Sequence, residues 1–317
     1  MNLLVTGGCG FIGSNFIEMA LEAKRTWIKK IVNLDSLTYA GSLENTSDFE
    51  LDEKYFFENV DLCDYDTLLD IFDKHSITHV IHFAAESHVD NAISDPDAFI
   101  NSNITGTFNL LKAARKFNVK RFHHVSTDEV YGDLGDDGKF SEDTPYDPHN
   151  PYSASKAASD FLVKSYFHTY GLPVTISNCS NNYGPRQHLE KFIPTVINSI
   201  LSNKKIPLYG KGINVRDWIY VSDHCEGVWQ VATEGELGET YCIGASCERK
   251  NIDIIEEICK ILDVKPSENI EYVKDRAGHD YRYAIDNTKI KEKLNWSPQT
   301  SFEEGMKKTV EWYSERH

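Results

Sequence analysis

The hydrophobic positions in the first two-thirds of the chain form short apolar runs that alternate with longer amphipathic stretches. The apolar runs lie at residues 3–5, 31–34, 55–59, 79–83, 121–125 and 174–177. Because most of them are continuous rather than alternating, they predict parallel strands covered on both faces. The stretches between them predict helices at residues 14–23, 65–75, 101–117 and 153–170. This rhythm predicts an α/β fold with a doubly wound parallel sheet.

The alternation weakens after residue 182, where proline and glycine interrupt the chain at short intervals. A helix is predicted at 252–262 and a strand near 269–273. These elements predict a second, smaller α/β region that is interleaved with the first rather than joined to it by a linker.

Composition and charge exclude several classes of protein. The 317 residues include 49 acidic and 33 basic side chains, and the resulting net charge of −16 repels nucleic acid and anionic membranes. The longest apolar runs, such as residues 80–85, are far shorter than the roughly 20 residues of a membrane-spanning helix. No secretory pattern is visible, and the seven cysteines are scattered without a CxxC pair. We therefore expect a cytoplasmic protein with reduced thiols and no metal centre.

A glycine-rich turn, GGCGFIG, lies between the first predicted strand and the first predicted helix. Gly8, Gly10 and Gly13 satisfy G-x-G-x-x-G, and Gly7 begins an equally good G-x-x-G-x-x-G. Glycines let the backbone approach a pyrophosphate, which the N–H groups of the following helix can bind. Asp35 ends the second predicted strand, where a carboxylate accepts from the adenosine ribose and repels a 2′-phosphate. The pattern predicts a dinucleotide site that favours NAD over NADP.

Tyr152 and Lys156 form a Y-x-x-x-K pattern at the start of the fourth predicted helix. Four residues span about one helical turn, so both side chains leave the helix on the same face. A tyrosine with its usual pKa of about 10 is a poor base at neutral pH, but an adjacent ammonium and the positive nicotinamide of NAD would lower that pKa. With the glycine turn, the pair predicts removal of a hydroxyl proton while hydride leaves the same carbon.

Three polar residues, Thr127, Asp128 and Glu129, lie at the end of the fifth predicted strand. This is the carboxyl edge of a parallel sheet, where doubly wound folds bind their ligands. Thr127 can donate a hydrogen bond to a sugar oxygen or to Tyr152. A simple dehydrogenase needs one base, whereas an elimination needs one group to remove a proton from carbon and another to protonate the departing hydroxyl. The two adjacent carboxyl groups therefore favour an elimination.

The sequence resembles the extended short-chain dehydrogenases/reductases, and within them it is similar to the nucleotide-sugar 4,6-dehydratases. The resemblance covers nearly the whole chain. It is carried by residues 6–14, FAAESHVD at 83–90, STDEVYG at 126–132, PYSASKA at 151–157, CSNNYGP at 179–185, EKFIP at 190–194, NVRDWIYVSD at 214–223 and DRAGHDYRYAID at 275–286. The Thr-Asp-Glu run discriminates best, since sugar epimerases of the superfamily usually carry a serine- or threonine-rich segment there.

The resemblance implies a two-domain organisation around a Rossmann sheet. Residues 1–184 would form the NAD-binding domain, to which residues 220–254 and 305–317 return. Residues 185–219 and 255–304 would form a smaller α/β domain that binds the nucleotide sugar. The predicted helices at 101–117 and 153–170 would form a homodimer interface.

The implied reaction converts a nucleotide-diphosphate hexose such as dTDP-glucose into its 4-keto-6-deoxy form with loss of water. Tyr152 would take the 4-hydroxyl proton as hydride passes from C4 to NAD. Glu129 would remove the C5 proton, and Asp128 would protonate the departing 6-hydroxyl. Hydride then returns to C6, so NAD ends as it began and should stay tightly bound. Thr127 and Lys156 complete the implied catalytic set.

The resemblance also implies the binding residues, motif by motif. Those expected to hold NAD are Gly7, Gly10, Phe11, Ile12, Gly13, Asp35, Ser36, Leu37, Thr38, Asp61, Leu62, Phe83, Ala84, Ala85, Ser102, Tyr152, Lys156 and Asn182. Those expected to hold the sugar nucleotide are Ser87, Thr127, Asn181, Lys191, Phe192, Pro207, Tyr209, Arg216, Asn251, Arg276 and His279. The three basic residues among them would offset the acidic net charge around a diphosphate.

Three other interpretations remain open from the sequence. A UDP-glucose 4,6-dehydratase would share the chemistry, since thymine differs from uracil by one methyl group worth about 1–3 kcal/mol. An NAD-dependent nucleotide-sugar epimerase would need Tyr152 and Lys156 but no acid–base pair, so Asp128 and Glu129 disfavour it. A binding protein without catalysis would be expected to carry a degraded catalytic set, and this set is intact.

Overall fold

The computed structural model describes residues 1–22, 25–275 and 280–317. Its strands are β1 (Asn2–Thr6), β2 (Lys30–Asp35), β3 (Tyr55–Asn59), β4 (His79–His82), β5 (Arg121–Thr127), β6 (Val174–Cys179), β7 (Asn181–Tyr183), β8 (Ile206–Tyr209), β9 (Val215–Tyr220), β10 (Thr240–Ile243), β11 (Glu248–Lys250) and β12 (Ile270–Val273). Its α-helices are α1 (Phe11–Glu22), α2 (Tyr65–His75), α3 (Val89–Ser94), α4 (Asp97–Phe99), α5 (Thr107–Lys116), α6 (Pro151–Tyr170), α7 (Phe192–Leu201), α8 (Val221–Glu234), α9 (Asn251–Ile261), α10 (Pro266–Asn269), α11 (Thr288–Leu294) and α12 (Phe302–Ser314). A π-helical turn covers Ile100–Gly106, and 3₁₀ turns cover Leu43–Phe49 and Asp128–Tyr131.

Seven parallel strands form the main sheet, in the order β10-β6-β5-β4-β1-β2-β3. Leu4 of β1 pairs with Val32 of β2 on one side and with Val80 of β4 on the other. The chain therefore starts in the middle of the sheet, winds outward to β3, and then winds the other way from β4. The predicted doubly wound α/β fold is confirmed. Such a reversal opens a crevice at the carboxyl ends of the strands, where ligands bind.

Separate apolar layers cover the two faces of this sheet. One layer joins α1 and α8 to the strands and contains Phe16 and Val228, both fully buried. The other joins α2, α5 and α6 to the strands and contains Phe72, Leu110 and Val163, also fully buried. Burial on both faces explains why the strand sequences are continuously apolar rather than alternating.

Two smaller sheets build the second region of the molecule. One has the order β11-β9-β7, and β12 pairs in parallel with β8 in the other. A third apolar cluster, which includes Trp218, Ile255 and Met306, packs α7, α9 and α12 against these strands. The sequence-based boundaries assign most of β9 to the smaller domain and assign β7 and β11 to the NAD-binding domain. In the structure, however, β9 pairs with both β7 and β11. The boundaries at 184/185 and 254/255 therefore stay a prediction.

Two elements differ from their sequence-based description. The predicted helix 101–117 is divided into the π turn at Ile100–Gly106 and α5. Within the π turn, the Asn103 side chain accepts from Glu86 N at 2.8 Å and donates to Ser155 Oγ at 2.8 Å. This local widening ties the turn to the loop after β4 and to α6, a use of π turns that is common near functional sites. The seventh strand of the main sheet, β10, was not predicted from the sequence.

In the described part of the chain, no helix is both long enough and apolar enough to cross a membrane. The same residues contain no group of three or more His, Cys, Asp or Glu side chains arranged to hold a metal ion. All seven cysteines are free thiols, and Cys63 is the exposed one.

Candidate active site

A cavity of about 310 Å³ lies in the crevice at the carboxyl ends of the main strands. Its walls come from the glycine turn after β1, the ends of β2, β4, β5 and β6, the start of α6, and the loop that precedes α7. This is the position at which the winding of the sheet reverses. Residues that are far apart in the sequence therefore meet here because of the sheet topology alone.

The glycine turn leaves no space for side chains at two positions. Gly7 has a φ of +72°, and a Cβ there would lie 2.7 Å from Ala84 Cα. A Cβ on Gly13 would lie 2.2 Å from the Gly7 carbonyl oxygen. The turn is thus packed between β4 and the start of α1, with Gly10, Phe11 and Ile12 facing the cavity. Its backbone and the free N–H groups of α1 fit an anionic diphosphate.

Asp35 lies at the end of β2 and faces the same cavity. Its Oδ2 accepts a hydrogen bond from Cys9 N at 2.9 Å, and its Oδ1 accepts from Leu37 N at 2.8 Å. Burial raises the pKa of this carboxyl group, and the two backbone donors oppose the rise. These donors fix the carboxylate beside the glycine turn, where it can accept from ribose hydroxyl groups. The residues present therefore fit a dinucleotide without a 2′-phosphate.

Thr127, Asp128 and Glu129 line the wall opposite the glycine turn. β5 ends at Thr127, whose hydroxyl caps the following 3₁₀ turn by accepting from Glu129 N at 3.3 Å. Burial raises the pKa of Asp128 well above its ordinary value, and the neighbouring Glu129 and Asp217 raise it further. Burial also raises the pKa of Glu129, but the positive charges of Arg216 and Lys191 oppose it. Asp128 is thus the group held in its acid form, while Glu129 is the one with cations beside it.

Tyr152 and Lys156 lie on the cavity side of α6, which begins with a capping box at Asn150 and Ser153. The Thr127 side chain acts to lower the pKa of Tyr152. Burial raises the pKa of Tyr152 well above 10, and the carboxyl group of Glu129 adds to the rise. The expectation that Lys156 and the positive nicotinamide of NAD lower this pKa stays a prediction. Lys156 Nζ donates to the Val125 carbonyl oxygen at 2.8 Å.

Positive charge enters the site from the second region of the molecule. Lys191 lines the cavity and donates from Nζ to the Ser87 carbonyl oxygen at 2.9 Å. The Arg216 guanidinium on β9 donates to the carbonyl oxygens of Val215, Tyr281 and Asp280 and lies 4.1 Å from the centre of the Tyr283 ring. It is buried outside the cavity lining, close enough to lower the pKa of both carboxyl groups after β5.

The structure brings most of the predicted residues to one cavity. All the residues expected to hold NAD line it except Leu37, which instead uses its backbone N–H to fix Asp35. Of those expected to hold the sugar nucleotide, Ser87, Thr127, Asn181 and Lys191 line it. The residues that lie outside the lining are Phe192 at the start of α7, Pro207 and Tyr209 on β8, Arg216 on β9 and Asn251 at the start of α9. Arg276 and His279 fall outside the described residues.

Several lining residues were missed by the sequence analysis. Glu86 is buried at the cavity wall and its pKa is raised by burial. Cys179 lines the cavity from the end of β6, and burial raises its pKa to about 12, so it is an inert thiol. His188 lines it from the loop that precedes α7. Glu86 lies within the motif FAAESHVD and Cys179 within CSNNYGP, so these motifs could have indicated both residues. His188 lies outside the motifs named above.

Comparison with known proteins agrees with this geometry. The family model for GDP-mannose 4,6 dehydratase matches residues 4–309. The chain belongs to the GDP-mannose 4,6-dehydratase family. Within this family, the chain is 49% identical to dTDP-glucose 4,6-dehydratase 1 of Escherichia coli K12, over 99% of this chain and 92% of that protein. It is also 49% identical to the dTDP-glucose 4,6-dehydratase of Mycolicibacterium smegmatis, over 99% and 93%.

Solved structures show the same fold in dehydratases and in epimerases. The structure of DesIV, a dTDP-glucose 4,6-dehydratase from Streptomyces venezuelae with NAD and TYD bound, matches with a TM-score of 0.96 and 42% identity, covering 99% of this chain and 97% of DesIV. The UDP-glucose 4-epimerase of Thermotoga maritima with UDP-glucose matches with a TM-score of 0.92 and 29% identity, covering 100% of this chain and 99% of the epimerase. The fold alone therefore does not separate these two reactions.

The raised pKa of Asp128 has a consequence for stability. A carboxyl group whose pKa is higher in the folded state destabilises the fold above its unfolded pKa of about 3.9, and the penalty grows as the pH rises toward the folded value. We therefore expect Asp128→Asn to raise the free energy of unfolding at neutral pH by about 1 kcal/mol or more. The gain should shrink to nothing as the pH approaches 4.

Denaturant unfolding followed across this pH range measures the effect. The matched control is Asp143→Asn, which neutralises an exposed carboxylate and should change stability by less than about 0.5 kcal/mol at any pH. A variant Asp128→Asn that is less stable than the parent at neutral pH would contradict the assignment of a protonated Asp128.

Proposed function

We propose that this chain is an NAD-dependent 4,6-dehydratase that converts dTDP-glucose into dTDP-4-keto-6-deoxyglucose and water. The observation that carries the proposal is the presence of Asp128 and Glu129 on the wall of the cavity that also holds Tyr152 and Lys156. Epimerisation requires the tyrosine–lysine pair but no second acid–base pair. The names of the relatives, and 49% identity over almost the full length, support dTDP-glucose as the substrate.

NAD is the cofactor that the site accommodates. The packed glycine turn and the fixed Asp35 carboxylate fit its diphosphate and its adenosine ribose. When bound, NAD accepts hydride from C4 of the sugar and later returns it to C6. Because no net oxidation remains at the end, the cofactor does not need to leave between turnovers, which agrees with a partly enclosed cavity.

The chain's own groups then divide the proton transfers between them. Tyr152 takes the proton of the 4-hydroxyl, and Thr127 favours the ionised form of Tyr152. The resulting ketone acidifies the C5 proton, which Glu129 removes as a carboxylate favoured by nearby Arg216 and Lys191. Asp128, kept protonated by burial, donates its proton to the departing 6-hydroxyl. After hydride returns to C6, the proton held by Glu129 goes back to C5, which completes the product. Two carboxyl groups with pKa values shifted by different neighbours are what such an acid–base division needs.

The second region would bind the nucleotide end of the substrate. Lys191 lies at the cavity, and Arg216 lies behind its wall on β9, so both place positive charge near the cavity of a strongly acidic protein. Phe192, Pro207 and Tyr209 lie within the predicted range 185–219, whereas Asn251 begins α9 just before the predicted range 255–304. Arg276 and His279 are assigned to the same role by motif position only.

A homodimer would cover apolar side chains that the isolated chain exposes. Phe108 on α5 is 40% exposed, and Phe161 and Tyr170 on α6 are 59% and 48% exposed. These helices are the predicted dimer interface, and exposed aromatic residues on adjacent helices favour such an interface.

The free thiols and the acidic net charge support a cytoplasmic location.

Mass spectrometry of the sugar nucleotide tests the function directly. Purified protein is incubated with dTDP-glucose and, in parallel, with UDP-glucose, and no NAD is added. We expect dTDP-glucose to lose one water. Faster loss from UDP-glucose would instead identify the UDP-glucose dehydratase, and an unchanged mass with both substrates would refute dehydration.

Two variants separate the oxidation from the elimination. Glu129→Gln keeps the side-chain shape but removes the base for C5, so we expect dTDP-glucose to reduce bound NAD while release of the keto product falls by about 10²-fold or more. Tyr152→Phe removes the base for the 4-hydroxyl, so no NADH absorbance should appear on mixing. Stopped-flow absorbance and product analysis are run on both. Normal turnover in Glu129→Gln would disprove its assigned role.

The dimer is tested by placing a charge on the exposed aromatic face. Phe161→Asp would bury an unpaired carboxylate in the interface, and we expect light scattering to change from a dimer to a monomer mass. Leu51→Asp is the matched control, because Leu51 is 96% exposed and lies far from α5 and α6 in the sequence, after the 3₁₀ turn Leu43–Phe49. A wild-type chain that is monomeric at micromolar concentration would exclude the interface.

A further inference from the structure

A buried carboxylate lies behind the wall of the cavity, one helical turn beyond Lys156. Tyr152, Lys156 and Asp160 are spaced by four residues along α6, so their side chains leave the helix on the same face. Tyr152 and Lys156 line the cavity, whereas Asp160 does not and is fully buried. Asp160 therefore cannot touch a ligand in the cavity, and any part it has in the reaction must be through its neighbours.

Donors from several elements converge on this carboxylate. Asp160 Oδ2 accepts hydrogen bonds from Ser126 Oγ at 2.9 Å and from Tyr146 Oη at 2.8 Å, with Asn178 Nδ2 at 3.4 Å. Asp160 Oδ1 lies 3.2 Å from His124 Nε2, although the two are not aligned as a hydrogen bond. Burial alone would raise the pKa of Asp160, but His124, Lys156 and Tyr146 outweigh burial and hold that pKa below its ordinary value. Asp160 is thus an anion inside the protein.

Lys156 carries a buried charge of the opposite sign. Its ammonium group is also buried, and in the described chain it donates to the Val125 carbonyl oxygen. Burial lowers the pKa of Lys156, and the negative charge of Asp160 acts against that shift. Without an anion nearby, a buried ammonium group loses its proton, because burying the neutral amine costs less free energy than burying the charge.

The other ionisable groups around this pair do not supply that anion. Asp128 is held in its acid form, and Glu129 is not among the groups that act on the pKa of Lys156. Burial lowers the pKa of His124 to about 4 and lowers that of His82 as well, so both are neutral. The remaining titratable groups facing the pair from neighbouring elements are Tyr131, Tyr146, Cys179 and Cys242, and burial raises the pKa of each. Among the described neighbours, Asp160 is the carboxylate whose charge acts on Lys156.

We propose that Asp160 is a positioning residue whose buried charge keeps Lys156 in its ammonium form and so keeps a positive charge beside Tyr152. The inference rests on the proposed function, since it assigns Asp160 to the oxidation step of that reaction. Ser126 and Tyr146 take part by holding the carboxylate in place. The Y-x-x-x-K pair then becomes a row of three residues, of which the third faces the protein interior.

The charge of Lys156 can be measured without catalysis. Lysine-selective ¹³C,¹⁵N NMR of the NAD-containing protein reports protonation at Nζ, and Lys156→Arg assigns the signal by its loss. We expect an ammonium signal at about pH 8 in the wild type, and a transition that moves to lower pH by about one unit or more in Asp160→Asn. Tyr146→Phe is the matched control, because it removes a hydrogen bond to Asp160 but leaves the charge, and its transition should stay in place.

The kinetic counterpart is the pH profile of NAD reduction by dTDP-glucose in a single turnover. In Asp160→Asn the alkaline limb should move to lower pH, so the rate above the new limb falls about tenfold per pH unit. In a Lys156→Arg background the same substitution should not move the limb, because arginine stays charged. A rate loss that is equal at every pH, with no shift of the limb, would show a merely structural role and overturn the proposal.

The two proposals fail in different ways. Wild-type protein that does not reduce NAD on addition of dTDP-glucose would refute the function, while the NMR titration would still report on Lys156. A neutral Lys156 in the wild type at about pH 8 would refute the role of Asp160 whatever the activity. That measurement also decides the matter if Asp160→Asn does not fold.

Discussion

Ionisable side chains are buried together at the carboxyl end of β5, and the arrangement around them follows from the free energy that burying a charge costs. Removing one ion from water costs several kcal/mol even after the protein relaxes. Asp160 meets that cost with donors from β5, β6 and the segment before α6. Asp128 meets it differently, by keeping its proton. The same constraint thus produces an anion behind the wall and a neutral acid on it.

The acid–base pair shows how neighbours divide the work of two adjacent carboxyl groups. Asp128 and Glu129 repel each other, so ionisation of one disfavours ionisation of the other. Arg216 acts on both, but Lys191 and the Asn150 side chain favour the charged form of Glu129 specifically. The carboxyl groups therefore differ because of residues that come from three other elements. Neither role could be assigned from the sequence of the turn alone without the resemblance to a family.

Features that depend on local sequence could be predicted from the sequence alone. The glycine turn, the end of β2 at Asp35 and the spacing of Tyr152 and Lys156 each involve contacts within a few residues or a regular helix or strand. Six of the seven strands of the main sheet could be predicted from the sequence, since two covered faces favour continuous apolar runs.

Features that depend on contacts between distant residues could not be predicted from the sequence. Arg216 meets the carbonyl oxygen of Asp280, 64 residues away, and His124 meets Asp160 across the sheet–helix interface. The break at Ile100–Gly106 is similar, because the π turn is held by Asn103 contacts to Glu86 and Ser155. The hydrophobic periodicity of a sequence does not indicate contacts between residues that are far apart along the chain. The prediction that Lys156 and NAD lower the pKa of Tyr152 could not include burial, since sequence spacing gives proximity but not the burial that raises this pKa.

The turn after β5 is what adapts a shared fold to elimination. Adjacent side chains in an extended strand point to opposite faces, so two consecutive carboxyl groups on a strand could not face one cavity. Here β5 ends at Thr127 and a 3₁₀ turn begins at Asp128, which brings Asp128 and Glu129 onto the same wall. Thr127 stabilises that change of conformation by capping the turn at Glu129 N. An epimerase with the same sheet needs no such pair, so the side chains at positions 128 and 129, rather than the fold, favour elimination.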